Sequence, residues 1–331
     1  MRTHVIVTAV LLAACGTDPV SLADFDAATR DAYCRHFVKC GLVESVETCD
    51  KIGPGVMLGL SVSEHAALDL GKARFNGDSA ATCLDAFADR SCDVTSQSNR
   101  ELPDACFAEL SGTVHEGQAC ALDLECISQD CSQPSSCGTA CCMGTCIGDT
   151  APGHAKLGES CEHARCEPGS FCDAPLTCVA QKPAGGFCAN QSECRYGLDC
   201  DRGGTCVALP GPDQPCTSGC RDEGTTCSST TGTCVKVGLA GAPCATRDDC
   251  SRVYHCDATR HCSVGLALGS TCAPSQACAG EGAFCDVPEG ELMGTCTLPK
   301  ANGVRCRGNP DCETFYCDPG TMVCAPQPVC T

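Results

Sequence analysis

The sequence predicts a small disulfide-rich repeat array with little regular secondary structure, preceded by an all-α, disulfide-stapled N-terminal domain. Three observations predict it. Cysteine supplies 39 of 331 residues while tryptophan is absent and aromatics are 4%, a composition that builds a cross-linked scaffold rather than a core of large rings. Helix-like apolar spacing is confined to the chain before about residue 112. From Gly117 onward, Gly, Pro, Ser, Thr and Asp break the chain every few residues, and cysteines recur at nearly constant steps.

The chain opens with a short basic stretch, Met1 to His4, followed by ten apolar residues, VIVTAVLLAA, from Val5 to Ala14. A membrane span needs about 20, so residues 1–14 read as an export signal. The string Leu12-Ala13-Ala14-Cys15 resembles the lipobox of bacterial lipoprotein signal peptides. That resemblance implies cleavage before Cys15, a diacylglycerol thioether on its sulfur and an acylated amine. Residues 15–20 then form a lipidated terminus and short linker, and two or three acyl chains hold a bilayer stably. Gly16, where an enteric sorting signal would place Asp, implies the outer membrane, with the protein facing periplasm or exterior. Lipidation of Cys15 also resolves the odd cysteine number, because 38 remain to pair.

The N-terminal domain is expected over residues 21–115. Ser21 with Asp24 is a candidate cap for a helix carrying Leu22, Phe25, Ala28, Ala32, Tyr33, Phe37 and Cys40, ended by Gly41. Ser61 with Glu64 opens a second helix reaching Leu70. Asp78 or Ser79 caps a third with Cys83, Leu84, Phe87 and Ala88 on one side. Pro103 starts a short fourth through Phe107 and Leu110, and residues 45–51 add a turn. Six cysteines staple this domain: Cys34, Cys40, Cys49, Cys83, Cys92 and Cys106. Of fifteen connectivities, we expect Cys40–Cys49, Cys34–Cys83 and Cys92–Cys106.

The array spans residues 116–331 in seven modules: 116–157, 158–184, 185–210, 211–240, 241–268, 269–302 and 303–331. Gly185-Gly-Phe-Cys188 leads to Cys194, Cys200 and Cys206, and Gly241-Ala-Pro-Cys244 to Cys250, Cys256 and Cys262, with five residues in every gap. Gly158 precedes Cys161, Cys166, Cys172 and Cys178; Gly269 precedes Cys272, Cys278, Cys285 and Cys296. Gly211, two residues earlier than its counterparts, precedes Cys216, Cys220, Cys227 and Cys234. The first module begins at Gly117 and holds Cys120, Cys126, Cys131, Cys137, Cys141, Cys142 and Cys146; the last begins at Gly303 and holds Cys306, Cys312, Cys317, Cys324 and Cys330. Units this small cannot bury a useful core without cross-links, and each leading glycine is expected to turn the chain into its module. With seven and five cysteines, the outer modules cannot close on themselves. At least one bridge is therefore expected to leave a module. The modules can run in file for on the order of 100–150 Å or fold back; the sequence allows both.

The spacing Gly-x2-Cys-x5-Cys-x5-Cys-x5-Cys, seen at 185–206 and 241–262, resembles the Dickkopf-N-terminal-like repeats of bacterial lipoproteins and, more loosely, animal EB modules. The resemblance covers about 117–331. It implies an extracellular, disulfide-bonded, non-catalytic module and transfers no contact residue. SSCGTACCMGTC resembles the adjacent-cysteine step of knottins, including hevein-like chitin binders; residues 132–150 lack the aromatics a sugar site uses, so it reads as a local knot.

Several chemistries lack their motifs. There is no Cys-x2-Cys for zinc or thiol redox work, no Gly-x-Ser-x-Gly, no His-Glu-x2-His and no EF-hand loop. His163, His255 and His261 lie near Cys166, Cys256 and Cys262, as scattered histidines among many cysteines must. The pairs Asp248-Asp249 and Asp222-Glu223 read as turn residues. Phe171, Phe187, Tyr196, Tyr254, Phe284, Phe315 and Tyr316, about one per module, read first as packing partners of disulfides and second as contact points. Net charge is −19, or −20 from Cys15 onward because Arg2 is the single charge before it; such a surface repels nucleic acid.

The expected function is that of a non-enzymatic, lipid-anchored envelope protein whose array is a spacer or protein-binding element. Its partners would be the membrane, through the lipid, and another envelope or cell-surface protein. No cofactor is expected beyond that lipid, with weak Ca²⁺ binding left open. The alternatives are a secreted or surface inhibitor or toxin-like scaffold and, lower, a metal-binding protein.

Overall fold

A computed structural model of the protein describes residues 18–52, 59–134, 142–217, 219–273, 278–279, 282–288 and 290–326. Cys15, Cys137, Cys141 and Cys330 lie outside them, so the lipidation expected at Cys15 has no structural counterpart here.

The N-terminal segment forms helices where caps and apolar spacing coincide. Ser21 Oγ accepts from Asp24 N at 3.2 Å, opening a 3₁₀ turn that runs into α1 (Phe25–Lys39). Gly41, at φ +69°, ends it while Leu42 N donates back to Phe37 O. α2 covers Val46–Ile52. α3 (Val62–Asp69) has the full reciprocal cap: Ser61 Oγ accepts from Glu64 N, and Glu64 Oε2 accepts from Ser61 N. α4 (Gly77–Asp89) starts earlier than its expected cap, because Asn76 Oδ1 accepts from Ser79 N. α5 (Gln97–Arg100) is too short to show periodicity in sequence.

The region is mixed rather than all-α. Pro103 precedes one 3₁₀ turn, Asp104–Phe107, and Leu110 lies in a strand. That strand, β2 (Leu110–Gly112), pairs antiparallel with β1 (Ala73–Phe75). Phe25, Ala32, Ala80, Leu84 and Ala88 pack α1 on α4; Cys34, Phe37, Leu42, Val43 and Cys49 fill the other side of α1.

All three expected bridges here are corrected. The disulfides are Cys34–Cys49, Cys40–Cys92 and Cys83–Cys106. Cys34 lies on the α1 face that packs on α2, so Cys49 meets it before Cys40 can. Cys83 on α4 meets Cys106 in the turn that packs on α4, which leaves Cys40 to Cys92.

Each module closes by one rule: first cysteine to third, second to fourth. The pairs are Cys120–Cys131 with Cys126–Cys146, Cys161–Cys172 with Cys166–Cys178, and Cys188–Cys200 with Cys194–Cys206. Next come Cys216–Cys227 with Cys220–Cys234, then Cys244–Cys256 with Cys250–Cys262. Cys272–Cys285 with Cys278–Cys296 and Cys306–Cys317 with Cys312–Cys324 complete the set. The outer modules therefore do close two bridges internally, against expectation. Their surplus cysteines are inserted or appended to a complete four-cysteine unit. Cys142 is also disulfide-bonded; Cys137, Cys141 and Cys330, on which an inter-module bridge would have to fall, lie outside the described residues.

Short antiparallel strands pair the third and fourth cysteines of each module. The turn into each module is equally regular. Gly117, Gly158, Gly185, Gly241, Gly269 and Gly303 have φ between +77° and +86°, and each donates its N–H to the fourth cysteine's carbonyl. In the fourth module Asp213, not Gly211, takes this place at φ +61° and donates to Cys234 O; Asp is one of the few side chains that tolerate the left-handed region.

Neighbouring modules are joined through their linkers. Val114, Ala155, Lys182, Gly238, Leu266 and Lys300 each pair in parallel with the following module's second cysteine. The buried acids that precede those cysteines, Glu125, Glu193 and Asp311, hold Lys72, Lys182 and Lys300.

The array folds back. Its first five modules all touch the helical segment. Thr113 and Val114 donate to Glu125 O in the first, and Arg165 of the second reaches Asp104. Arg100 donates to carbonyls of the third, and Val94 N donates to Arg221 O of the fourth. Ser251 of the fifth donates to Leu42 O at 2.5 Å.

Candidate functional site

The wrapping creates a cleft of about 1070 Å³ between the helical segment and the second and third modules. One wall is α5 with the following loop and turn: Ser96 to Asp104 and Phe107, backed by Ala86 of α4. The other wall is His154, Arg165, Pro168, Ser170, Phe171 and Gln181 of the second module with Ser192 of the third. Its surface is more apolar than polar, with Leu102, Pro103, Phe107, Pro168 and Phe171 contributing.

Charges at one edge lock the walls together. Arg165 Nη2 stands 3.3 Å from Asp104 Oδ1, and its guanidinium lies 3.7 Å from the Phe107 ring centroid. His154 Nε2 is 3.5 Å from the same carboxylate oxygen. At the other edge Arg100 donates to the carbonyls of Cys194 at 2.9 Å, Arg195 and Leu198. Burial draws its pKa below the ordinary arginine value, with Asp199 and Asp93 opposing. Two buried polar atoms among these residues have no hydrogen-bond partner: Arg100 Nε and Gln181 Oε1.

The cleft assembles no nucleophile with a base. His154 is hydrogen-bonded to no serine or thiol among the described residues, and the nearby Cys166 and Cys172 are both oxidised. The same holds for metal ligands. Sulfurs crowd within 4.8 Å of one another in most modules, but each such group is a pair of adjacent disulfides rather than thiolates. Cys166, Cys256 and Cys262 spend their sulfurs on disulfides; His163 sits against Asp130, and His255 against Ser263.

A second polar centre lies between α1 and the fourth module. His36, fully buried, has Nε2 3.1 Å from both Glu223 Oε2 and Arg90 Nε. One ring nitrogen cannot donate to the carboxylate and accept from the guanidinium at once, so direct attraction between Arg90 and Glu223, at 3.9 Å, and from Arg252, at 3.7 Å, completes the group. Burial tends to raise the Glu223 pKa. The hydrogen bond and charge of His36, with Arg252 and Arg90, outweigh it and hold the carboxyl below its ordinary value.

The sequence expectations divide here. Asp249 is a turn residue, accepting from Ala245 N and Thr246 N; Glu223 is instead the buried centre of an interface. Of the seven array aromatics, Tyr254 packs among Cys244, Cys250 and Cys262, and Phe171 is buried beside Lys182. Tyr196 accepts from Gly169 N, and Phe284 lies under Lys300. Phe187 is 82% exposed and Phe315 41%, while Tyr316 is half-buried. Arg100, Gln181 and Glu223 carry no motif; only their neighbours in space give them a role.

Compared with known proteins, the chain matches no family model, no curated protein and no solved structure.

Proposed function

We propose that the chain is a non-enzymatic, lipid-anchored protein of the bacterial cell envelope, carried on the outer membrane by acyl chains at Cys15, with the cysteine array as a protein-binding element. The observation that favours binding over spacing is the seating of five successive modules on the helical segment. A spacer gains reach by extension. These modules surrender reach, and in return form a fixed surface with a cleft at the seam, where binding sites commonly lie. The lipobox-like Leu12-Ala13-Ala14-Cys15 supports the anchor, and the Dickkopf-N-terminal-like and EB-like cysteine spacing supports an extracellular scaffold.

The test is expression in a bacterium that processes lipoproteins, followed by mass analysis of the N-terminal peptide and membrane fractionation. Cys15 should be the first residue and carry acyl mass, and Cys15→Ser should leave the membrane fraction. An unmodified Cys15 in membrane-free protein would refute the anchor. Binding is tested separately below.

A further inference from the structure

We propose that the cleft between the helical segment and the second and third modules binds an extended, uncharged peptide segment with apolar side chains. This deepens the reading of the array as a binding element and rests on it.

Two unpaired atoms point to the ligand. Gln181 is 6% exposed; its Nε2 donates to Ser192 O at 3.1 Å, and its Oε1 is buried without a partner. Arg100 commits both terminal nitrogens to backbone carbonyls, but its buried Nε–H has none. Native proteins rarely leave buried polar atoms unpaired, because each loses its water and gains nothing. Both residues line the same cleft. The missing groups are one donor for Gln181 and one acceptor for Arg100. A peptide backbone presents both, an N–H and a C=O.

The remaining lining sets the side-chain preference. Leu102, Pro103, Phe107, Pro168 and Phe171 offer apolar surface. The charges of Arg100 and Arg165 are balanced by Glu101 and Asp104, so the cleft is a neutral patch on a chain of net −19. A neutral segment enters without desolvating a charge, whereas a cationic one is drawn to the acidic surface elsewhere. The volume, about 1070 Å³, lies at the top of the range of small-molecule pockets and accommodates more than a single residue.

The absence of tryptophan in the chain gives a clean readout. A phage-displayed library of random short peptides is selected on the oxidised full chain, and the enriched peptides are synthesised with one Trp. Binding and Trp emission are measured with the wild type, Gln181→Leu, which removes the unpaired acceptor at similar volume, and Ala86→Phe, which fills the cleft from α4. Disulfide maps confirm that each variant keeps its pairing. Uncharged, apolar peptides should enrich, their emission should shift to the blue, and both variants should bind about tenfold more weakly, the loss expected for one buried hydrogen bond. Should Ala86→Phe mispair, Gln181→Leu alone decides. Peptides that bind both variants as tightly as the wild type would overturn the cleft assignment while leaving the array a binding element. Enrichment of cationic peptides only, or of none, would overturn the assignment too.

Discussion

His36 and Glu223 stand 187 residues apart in sequence, yet Nε2 of the first lies 3.1 Å from Oε2 of the second. The contact joins α1 to the fourth module in a place with almost no water: His36 is fully buried and the Glu223 side chain is 13% exposed. Two arginines, Arg90 and Arg252, supply the positive charge that makes the buried carboxylate tolerable. The array is therefore held to the helical segment by chemistry as well as by shape.

Glu223→Gln should lower stability by about 2 kcal/mol at neutral pH, as loss of a buried charged hydrogen-bond acceptor does. The Glu223 pKa is lowered by folding, so its contribution is complete above the ordinary value of 4.5 and is lost as pH falls through the lower folded value. Unfolding of the oxidised protein, followed by circular dichroism between pH 3 and about 7, should therefore show the variant's deficit vanish in acid. A deficit that persists unchanged at the acid end would place the effect outside the ion group.

Glu109 should behave with the opposite sign. Burial, with a smaller push from Glu64, raises its pKa from 4.5 to about 7. Folding thus favours its protonated form, and the stability it lends is present below pH 4.5 and lost as pH rises through about 7. After allowance for its partial exposure, Glu109→Gln should raise stability by about 1–2 kcal/mol at alkaline pH and change little in acid. Titration of the Glu109 carboxyl by NMR near the ordinary value would contradict this.

The disulfide rank order follows from loop length. Cys40–Cys92 spans 52 residues and Cys34–Cys49 spans 15. On the chain-entropy account, removing the first by paired Cys→Ala substitution should cost about 4 kcal/mol and the second about 3. Thermal midpoints of the two double variants give the comparison, and a larger loss from the Cys34–Cys49 pair would show that burial at α2, not loop closure, dominates.

Gly224 is where backbone meets backbone. A Cβ there would come within 2.2 Å of Cys40 O, so Gly224→Ala must push the fourth module away from α1. Hydrogen exchange should quicken at Glu223 N, which donates to Cys92 O, and at Val94 N, which donates to Arg221 O. Unchanged protection at both amides would mean that the module yields without loosening the interface.

Much of the local architecture was legible before any coordinates. Ser61 and Glu64 announced their helix because a reciprocal cap is a local device, complete within four residues. The leading glycines announced the turns because a positive φ is a demand on one residue. Where a local demand has two solutions, the reading slipped. Asp213 serves as well as glycine in the fourth module, and Asn76 serves as well as the Asp78 or Ser79 expected to cap α4.

The cysteine sequence by itself determined that the chain is a repeat array of small cross-linked units, since no other source of stability is available to modules so short. It did not determine the partners of Cys34, Cys40 and Cys83, the seat of Glu223, or the cleft that gathers Arg100 and Gln181. Spacing along a chain encodes what happens within a turn or a hairpin. Contacts such as Ser251 to Leu42 and Glu223 to His36 depend on how five modules curve around a helical segment. That curvature is set by packing at many seams at once, and only the tertiary structure decides it.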